Sequence, residues 1–393
     1  MNLIPHIDRV CLRHYKSIAR CDVRLRPLTV LAGPNGSGKS NFLDALALLA
    51  EALETSLGHA LSTRGGLPAV RRRGTPDAEP IEIAVELVAS AEAAASYVLA
   101  LAPDGVRVQR EELVVFQGAT SSGASSPVAC YRVEDGQVAL WKGASAPPPA
   151  AAADRLFLVR ASGEPVFRAV FDALSQMRFH HLDPARIRLR HEPDAGHVLA
   201  PDAGNLISVV RRLSVEAPAV RERIENFLRG VLPELRGLET SQVDGLETLR
   251  LVLDVGGKEE RFPLAGTSDG TVQALAVLVA LFTPARSGAS QVTLVGLEEP
   301  EKAIHPAATG VLADALREAS ERVQVLVTTH SPDLLEHDAI TVGDVVAVTA
   351  TGGESALGTP DAFARSALAD RLSTLGELLR LRQLRPEPAA GSG

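Results

Sequence analysis

The octapeptide GPNGSGKS at residues 33–40 constrains this chain more than any other stretch. Gly33, four residues, then Gly38-Lys39-Ser40 is the Walker A spacing of a phosphate-binding loop. Glycines permit backbone angles that turn successive N–H groups inward, which makes an anion nest. The nucleotide-binding stretch is read as Gly33, Pro34, Asn35, Gly36, Ser37, Gly38, Lys39, Ser40 and Asn41. Lys39 is a point charge for the β- and γ-phosphates, and Ser40 offers a hydroxyl to Mg²⁺. The flanks agree. LTVLA (28–32) reads as a buried strand, and NFLDALALLAEAL (41–53) as a helix with Phe42, Ala45, Leu46, Leu49 and Leu53 on one face. The N-terminal dipole of that helix adds to the nest. Lysine is scarce, with Lys16, Lys39, Lys142, Lys258 and Lys302 the five among 40 basic residues. The motif therefore arises by chance in roughly 0.004 of sequences of this composition.

A second constellation follows far along the chain. VTLVGLEEPE (292–301) is an apolar strand running into Glu298, Glu299 and Glu301. Carboxylates at the C-terminal end of a buried strand are costly unless they face a cation or a water they activate. This is the Walker B pattern: Glu298 reads as a Mg²⁺ ligand and Glu299 as the group that orients or deprotonates water. The next strand, VQVLVTT (323–329), ends in His330, which reads as a γ-phosphate sensor. Lys39, Glu299 and His330 are thus the catalytic candidates, and Ser40 and Glu298 the metal candidates. Between the two motifs, Ser268-Asp269-Gly270 precedes the apolar helix TVQALAVLVALF (271–282). A hydroxyl, a glycine backbone and a helix N-terminus form a second phosphate-binding end. With one phosphate site already built, this one serves a partner's nucleotide.

Composition bounds what else is possible. A net charge of −8 excludes a polycation. Three basic spots remain, at 71–73, at Arg186, Arg188 and Arg190, and at 211–212. Alternation at 186–190 would put three arginines on one side of a strand, making it the best candidate for DNA contact. Cys11, Cys21 and Cys130 lack metal-ligand spacing and suit a reducing cytoplasm. The first residues lack a signal-peptide apolar core, and 271–282 is too short to span a bilayer. A cytoplasmic protein with no membrane partner is expected.

The remaining chain reads as strands over 7–32, a loop over 58–80, and an antiparallel run of short strands at 81–88, 96–102, 106–116 and 129–141. Loops are expected at 118–127 and 143–153. Helices are expected at 165–180 and 203–235, then a strand pair at 249–255 and 260–264.

The motif order, together with HYKSI (14–18), TSDGTVQALAVL (267–278), VGLEEPEKAIHP (295–306), TTHSPDLL (328–335) and STLGEL (373–378), resembles the stand-alone ABC-type ATPases of the SMC, RecF and OLD-like branch. The resemblance covers most of 7–380 and is weakest over 55–260. It implies an α/β fold: an ABC-type P-loop NTPase core with an antiparallel β-subdomain and an inserted helical lobe. The expected boundaries are one ATPase domain over 1–393, with its core at 1–57 and 265–350. A β-rich insert covers 78–142 and a helical lobe about 165–240. The C-terminal extension is 351–393, with a disordered tail from 386. It also implies ATP and Mg²⁺ as cofactors and a homodimer with ATP at the interface. DNA, or a separately encoded nuclease or toxin, is the partner class. Glu298 stands where many ABC proteins have Asp, and Ser-Asp-Gly-Thr replaces the transporter signature. The Q-loop glutamine is open among Gln109, Gln117 and Gln176. No TOPRIM nuclease and no coiled-coil arm are expected. The reading that competes with an ATPase is a nucleotide-binding scaffold with negligible turnover.

Overall fold

The first three strands of the chain divide between two sheets. The computed structural model describes residues 5–76, 78–90, 93–103, 107–118, 127–152, 155–283 and 292–388, and the counts below refer to these. Strands β1 (His6–Tyr15) and β2 (Ile18–Arg24) form a hairpin, while β3 (Leu28–Ala32) leaves it for the second sheet. Helices α1 (Lys39–Glu54), α2 (Leu57–Ser62) and α3 (Leu67–Val70) follow. Next come β4 (Ile81–Ser90), β5 (Ala93–Leu101), β6 (Val108–Gln117), β7 (Pro127–Glu134) and β8 (Gln137–Lys142). With the hairpin they make a seven-stranded antiparallel sheet in the order β2-β1-β4-β5-β6-β7-β8.

The chain continues through α4 (Phe157–Ala161), α5 (Pro165–Ser175), β9 (Met177–His180), α6 (Pro184–Ile187), α7 (Leu206–Glu216) and α8 (Pro218–Val231). A small antiparallel sheet, β10 (Leu235–Val243), β11 (Leu246–Val255) and β12 (Lys258–Pro263), leads to α9 (Asp269–Phe282). Then follow β13 (Leu294–Glu298), α10 (Thr309–Ser320), β14 (Gln324–Thr329), α11 (Pro332–Leu335), β15 (Val345–Thr351), β16 (Glu354–Gly358), α12 (Ala362–Ala369) and α13 (Leu375–Arg380).

The second large sheet has the order β16-β15-β3-β14-β13-β9, parallel except for the β15–β16 pair. Its central strands are buried on both faces, so LTVLA and QVLVTT are buried at every position, as a covered parallel sheet requires. Leu28, Val30 and Ala32 join one apolar cluster with α9 and α10, while Leu31 joins the other with α1. Helix α1 thus lies between the two large sheets. Every residue of α9 from Thr271 to Phe282 is buried, which explains a helix that is apolar all round. Gln324 ties the sheets together: its amide NH₂ donates to Ile7 O (2.8 Å) and Arg26 O (3.1 Å), and its carbonyl accepts from Ile7 N (2.8 Å).

Several expectations change. The helix expected over 165–180 stops at Ser175, and Met177–His180 is an edge strand paired with β13. Gly296 makes room for it, since a Cβ there would stand 2.3 Å from the Phe179 ring. The 186–190 strand is absent: Asp183 caps a turn at Pro184, and Arg186 and Arg188 leave it toward Asp202 and Asp269. The 58–80 loop contains α2, capped by Ser56, and α3. The second helical run ends at Val231, and the expected strand pair is three strands. Residues 386 and 387 are docked rather than loose, with Pro386 bridging Pro360 and Glu387 paired with Arg365 at 2.8 Å. Of the expected loops, 119–126 and residue 153 lie outside the described residues, as do 389–393 of the tail. Among the described residues no helix is long and apolar enough to cross a membrane.

Candidate nucleotide-binding site

The octapeptide forms the turn between β3 and α1, so its backbone sits at the C-terminal edge of the parallel sheet. Gly33 N–H donates to Thr329 O (3.3 Å) on the neighbouring strand. A Cβ on Gly33 would stand 2.0 Å from Val348 O, and one on Gly38 2.1 Å from Ser355 Oγ. Gly38 also has φ +99°, which L side chains rarely adopt. Helix α1 starts with no side-chain cap and no acidic residue in its first turn, leaving its N–H groups to an anion. The Ser37 hydroxyl is buried without a partner. Asn41 donates to Ser17 Oγ (2.6 Å), which meets Ser355 Oγ (2.6 Å); its side chain braces the loop from outside. Lys39 Nζ donates to Gly33 O and Pro34 O, both at 2.9 Å. Burial lowers its pKa, against the pull of Glu299, Glu301 and Glu298.

Strand pairing delivers the acids. Glu298 stands opposite Thr328, and Thr329 opposite Ala32, so loop, acids and His330 end three adjacent strands. Ser40 Oγ donates to Glu298 Oε1. His181 Nδ1 lies 2.8 Å from Glu298 Oε2. Glu299 has φ +43°, and its N–H bonds Thr328 O and Oγ1, both at 3.1 Å. That left-handed turn is followed by a 3.1 Å contact between His330 Nδ1 and Glu299 Oε1.

The nest, the open helix end and the orphaned Ser37 hydroxyl fit a triphosphate. Ser40 and Glu298 fit Mg²⁺, which takes one or two protein ligands and fills its shell with phosphate oxygens and water. Among the described residues no three His, Cys, Asp or Glu side chains gather as a metal centre.

Two neighbours were not read from the sequence as site residues. His181 follows β9, and seeing it required knowing that 177–180 is a strand ending beside Glu298. The adjacent His180 is a packing residue: it is buried, contacts Ala200 O (3.2 Å), and burial pushes its pKa down to about 4. Glu301 is 7 % exposed; Thr329 Oγ1 donates to its Oε1 (2.6 Å), and its Oε2 is buried without a partner. Burial raises its pKa. A folded-state pKa above the unfolded value means the native state holds its proton longer, so this group erodes stability as pH rises from the ordinary carboxylate range through the raised value. Glu301→Gln is therefore expected to raise the melting temperature at pH 8 by a few degrees, roughly 1 kcal/mol. The gain should shrink toward pH 4.5; a gain equal at both pH values would contradict the titration of Glu301.

Gln109 and Gln117 lie on β6 of the antiparallel sheet. Gln176 precedes β9 at the end opposite His181, accepting from Arg178 (3.0 Å). The carboxylate of Glu298 is met by His181 instead. Ser268 caps α9, accepting from Thr271 N (3.3 Å). Asp269 pairs with Arg188. A Cβ on Gly270 would stand 2.5 Å from Ala303 O, which puts this turn against the segment that follows Glu299–Glu301. Among the described residues it makes no hydrogen bond or ion pair with the phosphate loop of its own chain.

The family model described as "AAA domain, putative AbiEii toxin, Type IV TA system" matches residues 28–125 and 136–336. The chain belongs to this family. Its α/β fold is shared with Smc head domains. The Smc head domain of Pyrococcus furiosus, bound to the C-terminal domain of ScpA, superimposes with a TM-score of 0.55 at 13 % identity, covering 94 % of this chain and all of that one. An Smc head bound to the C-winged helix domain of ScpA gives 0.55 at 14 % identity, covering 90 % of this chain and 97 % of that one. These likenesses concern fold. The DNA replication and repair protein RecF of Magnetococcus marinus is 39 % identical over 71 residues, 18 % of this chain and 17 % of RecF.

Proposed function

We propose that this AAA-family chain binds ATP with Mg²⁺ and hydrolyses it, and that two copies close head to tail on the nucleotide. The observation that supports this best is the convergence of the phosphate loop, the Ser40–Glu298 pair and the Glu299–His330 pair on three adjacent strands. The backbone from Gly33 to Asn41 cradles the phosphates, and Lys39 exchanges its loop carbonyls for β- and γ-phosphate oxygens. Ser40 and Glu298 would hold Mg²⁺, which would supply charge neutralisation for the phosphates. His181 fixes the second oxygen of Glu298. Glu299 orients the attacking water and accepts its proton, while His330 holds the Glu299 carboxylate and senses the γ-phosphate. Ser268, Asp269 and Gly270 face the nucleotide of the second copy.

ATP that bridges two copies stabilises the dimer by linkage, and hydrolysis removes the γ-phosphate contacts. The dimer then acts on DNA or on a separately encoded effector in a cytoplasmic setting of repair or antiviral defence. RecF is named for replication and repair, and the family description names a toxin–antitoxin system. ATP turnover per protomer is expected to rise with protein concentration and then saturate. A flat dependence would sink the shared site.

A nucleotide-bound scaffold with negligible turnover, controlling a separate nuclease or toxin, is the second reading. The family description names a toxin–antitoxin system, the setting this reading supposes. Turnover at background at every concentration, with ATP still bound, would select it.

A further inference from the structure

A cavity of about 460 Å³ opens between the segment after α6, helix α7 and the small sheet β10–β12. Ile207, Leu249 and Leu264 give it an apolar, buried floor. Arg188, Arg190, Arg250 and Arg261 line it, and no carboxylate does. In a chain of net charge −8 such a gathering of like charge is unfavourable unless something answers it. Two of the four are answered. Arg261 forks onto Glu239 (2.9 and 3.0 Å), and Arg188 pairs with Asp269 and donates to Thr267 O (2.7 Å). Even so, Arg188 Nε is a buried donor without an acceptor. Arg250 stands across the strand pair from Glu239, whose oxygens Arg261 already holds. Among the described residues, the side chains of Arg250 and Arg190 make no hydrogen bond or ion pair within the chain.

We infer that this cavity binds a nucleotidic phosphate, from a free nucleotide or from a nucleic-acid backbone, with the phosphate on Arg190 and Arg250 and the base or sugar on the apolar floor. Guanidinium groups match phosphate oxygens in pairs. Apolar and guanidinium surfaces accept the flat face of a base without regard to sequence. The volume lies in the range of sites for ligands of nucleotide size. The inference is independent of the ATPase reading, since none of these arginines belongs to the phosphate loop or the acids. Its place in the fold is nevertheless telling: Arg188 joins the cavity wall to Asp269 at the start of α9.

The test uses the full chain carrying Lys39→Ala, which removes the phosphate loop from the measurement. Two probes are titrated: a fluorescein-labelled single-stranded DNA oligonucleotide and a fluorescent ATP analogue. The Lys39→Ala chain is expected to bind at least one. Adding Arg190→Glu and Arg250→Glu should weaken that binding roughly tenfold or more and, for DNA, flatten the salt dependence by about 1.4 units of slope. Oligonucleotide binding identifies a nucleic-acid backbone as the source; binding of the analogue alone identifies free nucleotide. Both substitutions lie on exposed side chains, and an unchanged melting curve verifies folding. Arg190→Gln with Arg250→Gln, which only removes charge, replaces the reversed pair if that curve shifts. Failure of the Lys39→Ala chain to bind either probe, or equal affinity in the arginine variant, overturns the inference.

Discussion

Glu299→Gln is expected to lower ATP turnover by about 100- to 10,000-fold, the range of a lost general base, while ATP binding changes little. The substitution keeps the shape of the side chain and removes its charge and its proton affinity. The backbone at Glu299 is held in a left-handed turn with its N–H on Thr328 O and Oγ1, so Gln occupies the same position. The contact with His330 Nδ1, 3.1 Å in the native chain, survives through the amide. ATP then persists at the shared site, and closed dimers accumulate by mass action. Phosphate release measured beside size-exclusion chromatography in ATP reads both effects. Equal turnover in the two proteins would remove Glu299 from the reaction.

Lys39→Ala is expected to weaken ATP binding about 100-fold or more. Two charge-assisted hydrogen bonds to phosphate, at about 1.5–3 kcal/mol each, correspond to that loss. The same ammonium holds Gly33 O and Pro34 O at 2.9 Å, so the loop loses an internal brace as well. Glu298, Glu299 and Glu301 also lose the cation whose charge they support. Calorimetric titration with ATP measures the first effect, and thermal melting without nucleotide the second. Full ATP affinity in the variant would exclude the loop as the nucleotide site.

What was legible in the sequence was what short-range chemistry dictates. A phosphate nest needs its glycines, lysine and hydroxyl within eight residues, and Glu298, Glu299 and His330 each end an apolar run long enough to declare itself a strand. His181 obeys no such rule. It reaches Glu298 because Met177–His180 pairs with Leu294–Leu297, and a four-residue strand after an amphipathic helix carries no periodic signal of its own. The arginines at 186–190 show the converse error. Their alternation suggests a strand, yet Asp183-Pro184 imposes a capped turn, and Arg190 meets Arg250 and Arg261 only because β11 and β12 fold back beside it. Ser355 on β16, which leaves no room for a Cβ on Gly38, sits in a segment that the sequence places outside the core.

Strand β3 sits between β14 and β15, and both partners are made about 300 residues after it. At ribosomal rates of about 5–20 residues per second, LTVLA waits roughly 15–60 s for the neighbours that cover it. During that interval the nascent chain carries an uncovered, largely apolar strand and an unfinished nucleotide nest. Its dependence on chaperones should therefore last from the emergence of β3 until β14 and β15 have been made, and ribosome-bound chains halted before residue 324 should capture no nucleotide.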